Sequence, residues 1–105
     1  MPTRPRHTKP DANQSRLVMQ LRACGLLVWD LHDLVGTLDL LVCWRGRCVP
    51  VEVKAPGCAG DLTPNERATL AALQDVGVRG IVASDLDDVL REFTYVVAMV
   101  REAIG

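Results

Sequence analysis

Two acidic residues and one lysine stand out because they interrupt runs that are otherwise apolar. Asp39 sits between Leu38 and Leu40-Leu41-Val42, while Glu52 and Lys54 flank Val53. A charge inside an apolar strand is costly unless it is paired or bound to a metal. Arg45-Gly46 fits a two-residue turn between the two runs, because glycine accepts the positive φ that such turns require. Trp44 then pairs with Arg47, and counting back from the turn sets Asp39 opposite Glu52. Opposed residues of an antiparallel pair share a face, with Cβ atoms roughly 5 Å apart. Two carboxylates that close repel each other unless a cation lies between them. Mg2+ or Mn2+ meets that need, since hard cations prefer oxygen ligands. Lys54 is two residues beyond Glu52 and so points to the same face. Its ammonium can stabilise charge that develops on a phosphate, or orient an attacking water. A metal there lowers the pKa of that water and polarises the phosphate. These are the parts that phosphodiester hydrolysis needs. The plainer alternative is a solvated Glu-x-Lys ion pair, and an aspartate in register across a tight turn weighs against it.

The elements that must position these groups follow from pattern and punctuation. A first helix starts at Asp11, with Gln14 three residues on as a capping-box partner. Leu17, Val18, Leu21 and Cys24 repeat at helical spacing, and Gly25 offers a left-handed stop. Strands follow over Leu26 to Leu31, Thr37 to Trp44 and Cys48 to Lys54, the last with Val49, Val51 and Val53 on one face. Thr63-Pro64-Asn65-Glu66 is a helix start: threonine caps, proline takes the first helical position and Glu66 completes the box. Leu70, Leu73 and Val76 supply its apolar stripe, and Gly77 ends it. Val78 to Ala83 is a fourth strand, and a last helical region runs from Ser84-Asp85 to the C-terminus. The order α-β-β-β-α-β-α predicts an α/β domain, a mixed β-sheet flanked by helices, with a right-handed crossover around the Thr63 helix. Residues 1–10 form a flexible basic arm and residues 11–105 a single domain.

A chain of 105 residues leaves room for one domain, and its net charge of −1 excludes a global field that attracts polyanions. The charge is uneven, however, with Arg4, Arg6, Lys9, Arg16 and Arg22 loading the N-terminal end. The first ten residues are not an apolar leader, and no run approaches the roughly 20 apolar residues of a membrane span. The expectation is a soluble, intracellular, cytoplasmic protein with no membrane partner, nucleoid-associated if the source is bacterial or phage. Cys24, Cys43, Cys48 and Cys58 include no Cys-x-x-Cys pair, which argues against structural zinc and for small, partly buried thiols.

The sequence resembles the PD-(D/E)xK nuclease superfamily, and especially its small stand-alone virus-type replication-repair members. The matching residues are Gly36-Thr37-Leu38-Asp39-Leu40-Leu41-Val42, Val51-Glu52-Val53-Lys54 and Leu62-Thr63-Pro64-Asn65-Glu66. Asn13-Gln14 and Leu21-Arg22-Ala23-Cys24-Gly25 bound a similar first helix, followed by a strand containing Val28. The likeness covers roughly residues 11 to 90. It implies a restriction-endonuclease-like fold and a divalent metal, Mg2+ or Mn2+, held by Asp39, Glu52 and the carbonyl of Val53. Lys54 is then the catalytic lysine, DNA the substrate, commonly branched or flapped, and the assembly often a homodimer. Two positions depart from the pattern. Leu38 stands where a proline usually precedes the aspartate, and Gln14 where many relatives carry a glutamate. Gln14 can still hold a water, and Glu66 can support the site from the second helix as well as cap it.

The leading expectation is therefore a metal-dependent, structure-selective DNA endonuclease. The alternative is a catalytically inactive nuclease-fold module that binds DNA or protein, and a third is a zinc-stapled interaction domain. Arg4, Arg6, Lys9, Arg45 and Arg47 are candidate DNA contacts, against the reading of Arg45 and Arg47 as a solvated turn beside a packed Trp44. Trp29 is expected in the core or at a dimer surface. The apolar stretch Tyr95 to Ile104 exceeds what one helix face needs and points to subunit contact.

Overall fold

The computed structural model describes residues 12–94. The basic arm with Arg4, Arg6 and Lys9, the helix start at Asp11 and the stretch Tyr95 to Ile104 lie outside the described residues. Within them the order is α1 (Ala12–Ala23), β1 (Leu27–Asp30), β2 (Leu40–Trp44), β3 (Arg47–Val53), α2 (Pro64–Asp75) and β4 (Ile81–Ala83). A third helix, α3, follows and is described over residues 86–94. The strands form one mixed sheet in the order β1-β2-β3-β4. β1-β2 and β2-β3 are antiparallel, while β4 joins β3 in parallel after α2.

Punctuation residues fix the element ends. Arg45 and Gly46 have φ of 49° and 83°, so both turn residues are left-handed and the hairpin closes in two residues. The ladder then runs from Trp44↔Arg47 to Leu40↔Val51, the register expected from the turn. At Gly77, with φ of 82°, the Gly77 and Val78 amides turn back onto Gln74 O and Leu73 O and close α2. That closure delays β4, which begins at Ile81 and not at Val78. Pro50 is tolerated inside β3 because β4 pairs only with Val51 to Val53, leaving no rung that needs a proline N–H.

The core occupies one face of the sheet. Val28, Leu40, Val42, Val49, Val51, Val53, Ile81 and Ala83 pack there with Leu17, Val18 and Leu21 of α1 and Val89 and Phe93 of α3. Trp44 meets Phe93 edge-on at 6.1 Å. Cys24, expected on the α1 stripe, is exposed instead, because α1 ends at Ala23 and Cys24 begins the turn that follows. α2 lies on the other side of the sheet, where Leu70 and Leu73 close on Gly80 so tightly that a Cβ there would be 2.9 Å from Leu70. Val76, expected on the same stripe, is 75% exposed, since it caps the helix beyond its last packed turn.

Trp29 and two of the cysteines correct or sharpen the expectations. Trp29 is 58% exposed beside Leu27 on the bare face of β1, so it belongs to the surface and not to the core. Arg22 Nη2 donates to Val28 O at 3.0 Å and so occupies an outward carbonyl of this edge strand, which blunts pairing with a further strand. Cys43 and Cys48 face each other in the hairpin register and form a cross-strand disulfide, in place of two separate thiols. Cys24 and Cys58 are free.

Candidate active site

β2 starts one residue after Asp39, which occupies a bend and not the strand interior expected of it. The cause is local. Val53, whose N–H would supply the next rung of the β2-β3 ladder, donates to Asp39 Oδ2 at 2.9 Å. The carboxylate substitutes for a main-chain carbonyl, and its own side chain is thereby locked against the end of β3. The Asp39 carbonyl accepts from Leu31 N at 2.7 Å, which ties the same residue to the end of β1.

Glu52 lies beside it with 4% of its surface exposed, one of two buried polar residues among those described. Strand alternation turns it away from the valine core and toward α2. Burial, the nearby Glu66 carboxylate and the charge of Asp39 push its carboxyl up from 4.5 to about 9. A proton on Glu52 relieves the repulsion among the three neighbouring acids. Lys54, next on the same side, places Nζ 2.8 Å from Glu66 Oε1 and 3.7 Å from Glu52 Oε2. Burial alone would lower its pKa, but the Glu66 hydrogen bond and the three surrounding carboxylates raise it. The ammonium is thus held charged.

Glu66 does two jobs from one oxygen. Its Oε1 accepts the Thr63 N–H at 2.9 Å, completing the capping box read from the sequence, and also accepts from Lys54 Nζ. Burial works to raise its pKa, but Lys54 and the Thr63 amide outweigh it and keep the carboxyl below its ordinary value. Glu66 thus caps α2 and, through the same oxygen, pairs with Lys54.

Gln14 is buried on the core side of α1 and donates its amide to Asp30 Oδ1 at 3.1 Å. The same oxygen accepts the His32 backbone N–H and contacts His32 Nδ1 at 2.8 Å. Asp30 and His32 were not singled out from the sequence; their link to Gln14 is tertiary, although an acid closing an apolar strand was a visible signal. Arg45 and Arg47 are not brought to the carboxylates. They lie at the opposite end of the hairpin, Arg47 five residues from Glu52 and Arg45 six from Asp39, or about 17–20 Å at strand rise. Arg45 stacks on Trp44 at 4.5 Å, and Arg47 donates to Glu92 O and pairs with the Glu92 carboxylate.

Among the described residues, no three His, Cys, Asp or Glu side chains stand in an arrangement ready to hold a metal. Mg2+ does not need three, since it is commonly held by one or two carboxylates and keeps several waters. The donor chemistry fits that class of ion. Asp39 uses only Oδ2 in its hydrogen bond to Val53, and Glu52 is a buried acid whose proton a cation would replace. Also among the described residues, no helix is long and apolar enough to cross a membrane. Compared with models of protein families, with characterised proteins and with solved structures, the chain matches none of them.

Proposed function

We propose that this chain is a divalent-metal-dependent deoxyribonuclease of the PD-(D/E)xK type, with a restriction-endonuclease-like arrangement of its sheet and helices. The observation that carries the reading is the buried Glu52 carboxyl, crowded by Asp39 and Glu66 and faced by a charged Lys54 at the open end of the hairpin. A core has no use for that set, and it costs stability unless something is gained at the site.

In this reading Asp39, Glu52 and the Val53 carbonyl would hold Mg2+ or Mn2+. Bound there, the ion supplies a water of lowered pKa and polarises a phosphoryl oxygen. The chain's own residues do the rest. Val53 N–H holds Asp39 Oδ2 and so fixes the Asp39 carboxylate beside Glu52. Glu52 would hold the ion as a carboxylate, its proton released to solvent. Lys54, parked on Glu66, needs only a side-chain rotation to reach a phosphate oxygen, where its charge offsets that of the pentacoordinate transition state. Glu66 keeps the ammonium protonated and near Glu52 while no substrate is present. The substrate is DNA, branched or flapped, the working location is the cytoplasm, and the exposed face bearing Leu27 and Trp29 serves a homodimer.

The test is incubation with flap, four-way-junction, single-stranded and duplex DNA in Mg2+, Mn2+ or EDTA, beside Lys54→Ala. Metal-dependent cleavage that is lost in EDTA and in the lysine variant supports the reading. One observation favours a second reading, an inactive nuclease-fold module that binds DNA or protein: Gln14 is neutral and already spent on Asp30. Binding without cleavage in either metal would establish that alternative.

A further inference from the structure

Asn13 is the second residue of α1, just inside the N-cap position that asparagine favours. Its side chain does something else. Nδ2 donates to Lys54 O at 3.1 Å and to Ser84 O at 3.1 Å, residues 41 and 71 positions away. These carbonyls follow the last rung of the parallel β3-β4 ladder, which is Lys54 N donating to Ala83 O at 3.0 Å. Beyond that rung the two strands diverge and their carbonyls have no ladder partner. One amide group spends both of its hydrogens bridging them.

The consequence falls on Lys54. Its main-chain N–H is held by β4 and its carbonyl by Asn13, so both polar groups of that peptide segment are engaged. The following carbonyl, Ala55 O, accepts from Ser84 Oγ at 3.3 Å and from Cys58 N at 2.9 Å. The backbone is thus pinned on either side of the lysine, and the ammonium moves only about its own side-chain torsions. We propose that Asn13 is a positioning residue for Lys54, fixing from α1 the point on which the ammonium pivots. The role rests on the nuclease reading given above, but the clamp itself does not.

The side-chain chemistry is restrictive. Only an NH2 group can face two carbonyl oxygens, so Asn13→Asp would set a carboxylate against both acceptors although it has the same shape. Asn13→Ala simply removes the bridge. Val18→Ala is the control, since it opens a cavity under the same helix without removing a hydrogen bond to β3 or β4.

Two measurements on the full chain separate the possibilities. Amide hydrogen exchange at Lys54 should quicken roughly tenfold or more in Asn13→Ala and further in Asn13→Asp, because the rung it protects becomes a frayed end. Val18→Ala should leave that amide no faster than the general loss of stability accounts for. In cleavage assays Asn13→Ala should lower kcat about tenfold or more with KM within about twofold, whereas Val18→Ala should leave kcat near wild type. Unchanged exchange at Lys54 in Asn13→Ala overturns the clamp. Faster exchange with unaltered kcat overturns the positioning role. A wild-type protein that cuts no DNA overturns the nuclease reading and this role with it, and the exchange data then report on the clamp alone.

Discussion

Glu52→Gln should make the metal-free protein more stable at neutral and mildly alkaline pH, although it alters a buried residue of the candidate site. The reason is proton linkage. Burial, then Glu66 and Asp39, raise the folded-state pKa of Glu52 from 4.5 to about 9. Folding at pH 7.5 therefore takes up a proton that the unfolded chain does not carry. The contribution of this group is fully present below about pH 4.5, falls as pH rises and is gone by about pH 9. At 1.36 kcal/mol per pH unit, the loss between pH 5 and pH 7.5 is at most about 3 kcal/mol. For a domain of this size that is on the order of 10–20 °C in Tm. Glu66, with its lowered pKa, contributes stability that is complete above pH 5, and Lys54, with its raised pKa, loses none until pH exceeds 10. Neither offsets the slope in this window. Glutamine keeps the shape and hydrogen-bonding capacity of a protonated glutamate without titrating. In EDTA, thermal melts of wild type should fall steeply from pH 5 to pH 8.5 while Glu52→Gln stays nearly flat, the curves crossing at the acid end. Adding Mg2+ or Mn2+ at pH 8 should restore the wild type and leave the variant unmoved. A wild-type Tm that is level from pH 5 to pH 8.5 would refute the reasoning, since it would mean that Glu52 is ionised and solvated in the folded protein.

Two other outcomes follow from the surrounding structure. Gln14→Glu puts a carboxylate about where an amide now donates to Asp30 Oδ1 at 3.1 Å, and should cost about 1–3 kcal/mol in urea melts at pH 7. Adding Asp30→Asn should recover most of it, and a double mutant no better than the single one would show that the pair is not coupled. The Cys43–Cys48 disulfide closes a short loop, so its removal by Cys43→Ser with Cys48→Ser should cost about 2 kcal/mol. Denatured protein free of reductant should titrate only the Cys24 and Cys58 thiols, and four free thiols would refute the pairing.

What the sequence made legible is what depends on counting from a fixed point. The left-handed Arg45-Gly46 turn sets the register of the whole hairpin, so the approach of Asp39 to Glu52 could be read by arithmetic from the turn. The Thr63 capping box is equally local, and it placed Glu66 at the head of α2. The same arithmetic pairs Cys43 with Cys48, a relation that strand register carries and zinc-ligand spacing does not. The details that arrange the candidate site are of another kind. Whether Asp39 continues a strand or breaks it turns on a competition between its side chain and a main-chain carbonyl for the Val53 N–H. Periodicity carries no trace of that contest. Asn13 and Gln14 look like first-turn helix residues, whose side chains by local rules would cap their own helix. They instead reach the ends of β3, β4 and β1, because packing Leu17, Val18 and Leu21 on the sheet lays the start of α1 across the open end where those strands stop. The core thus decides which polar residues meet at the sheet end, and the sequence alone decides only which of them can carry charge.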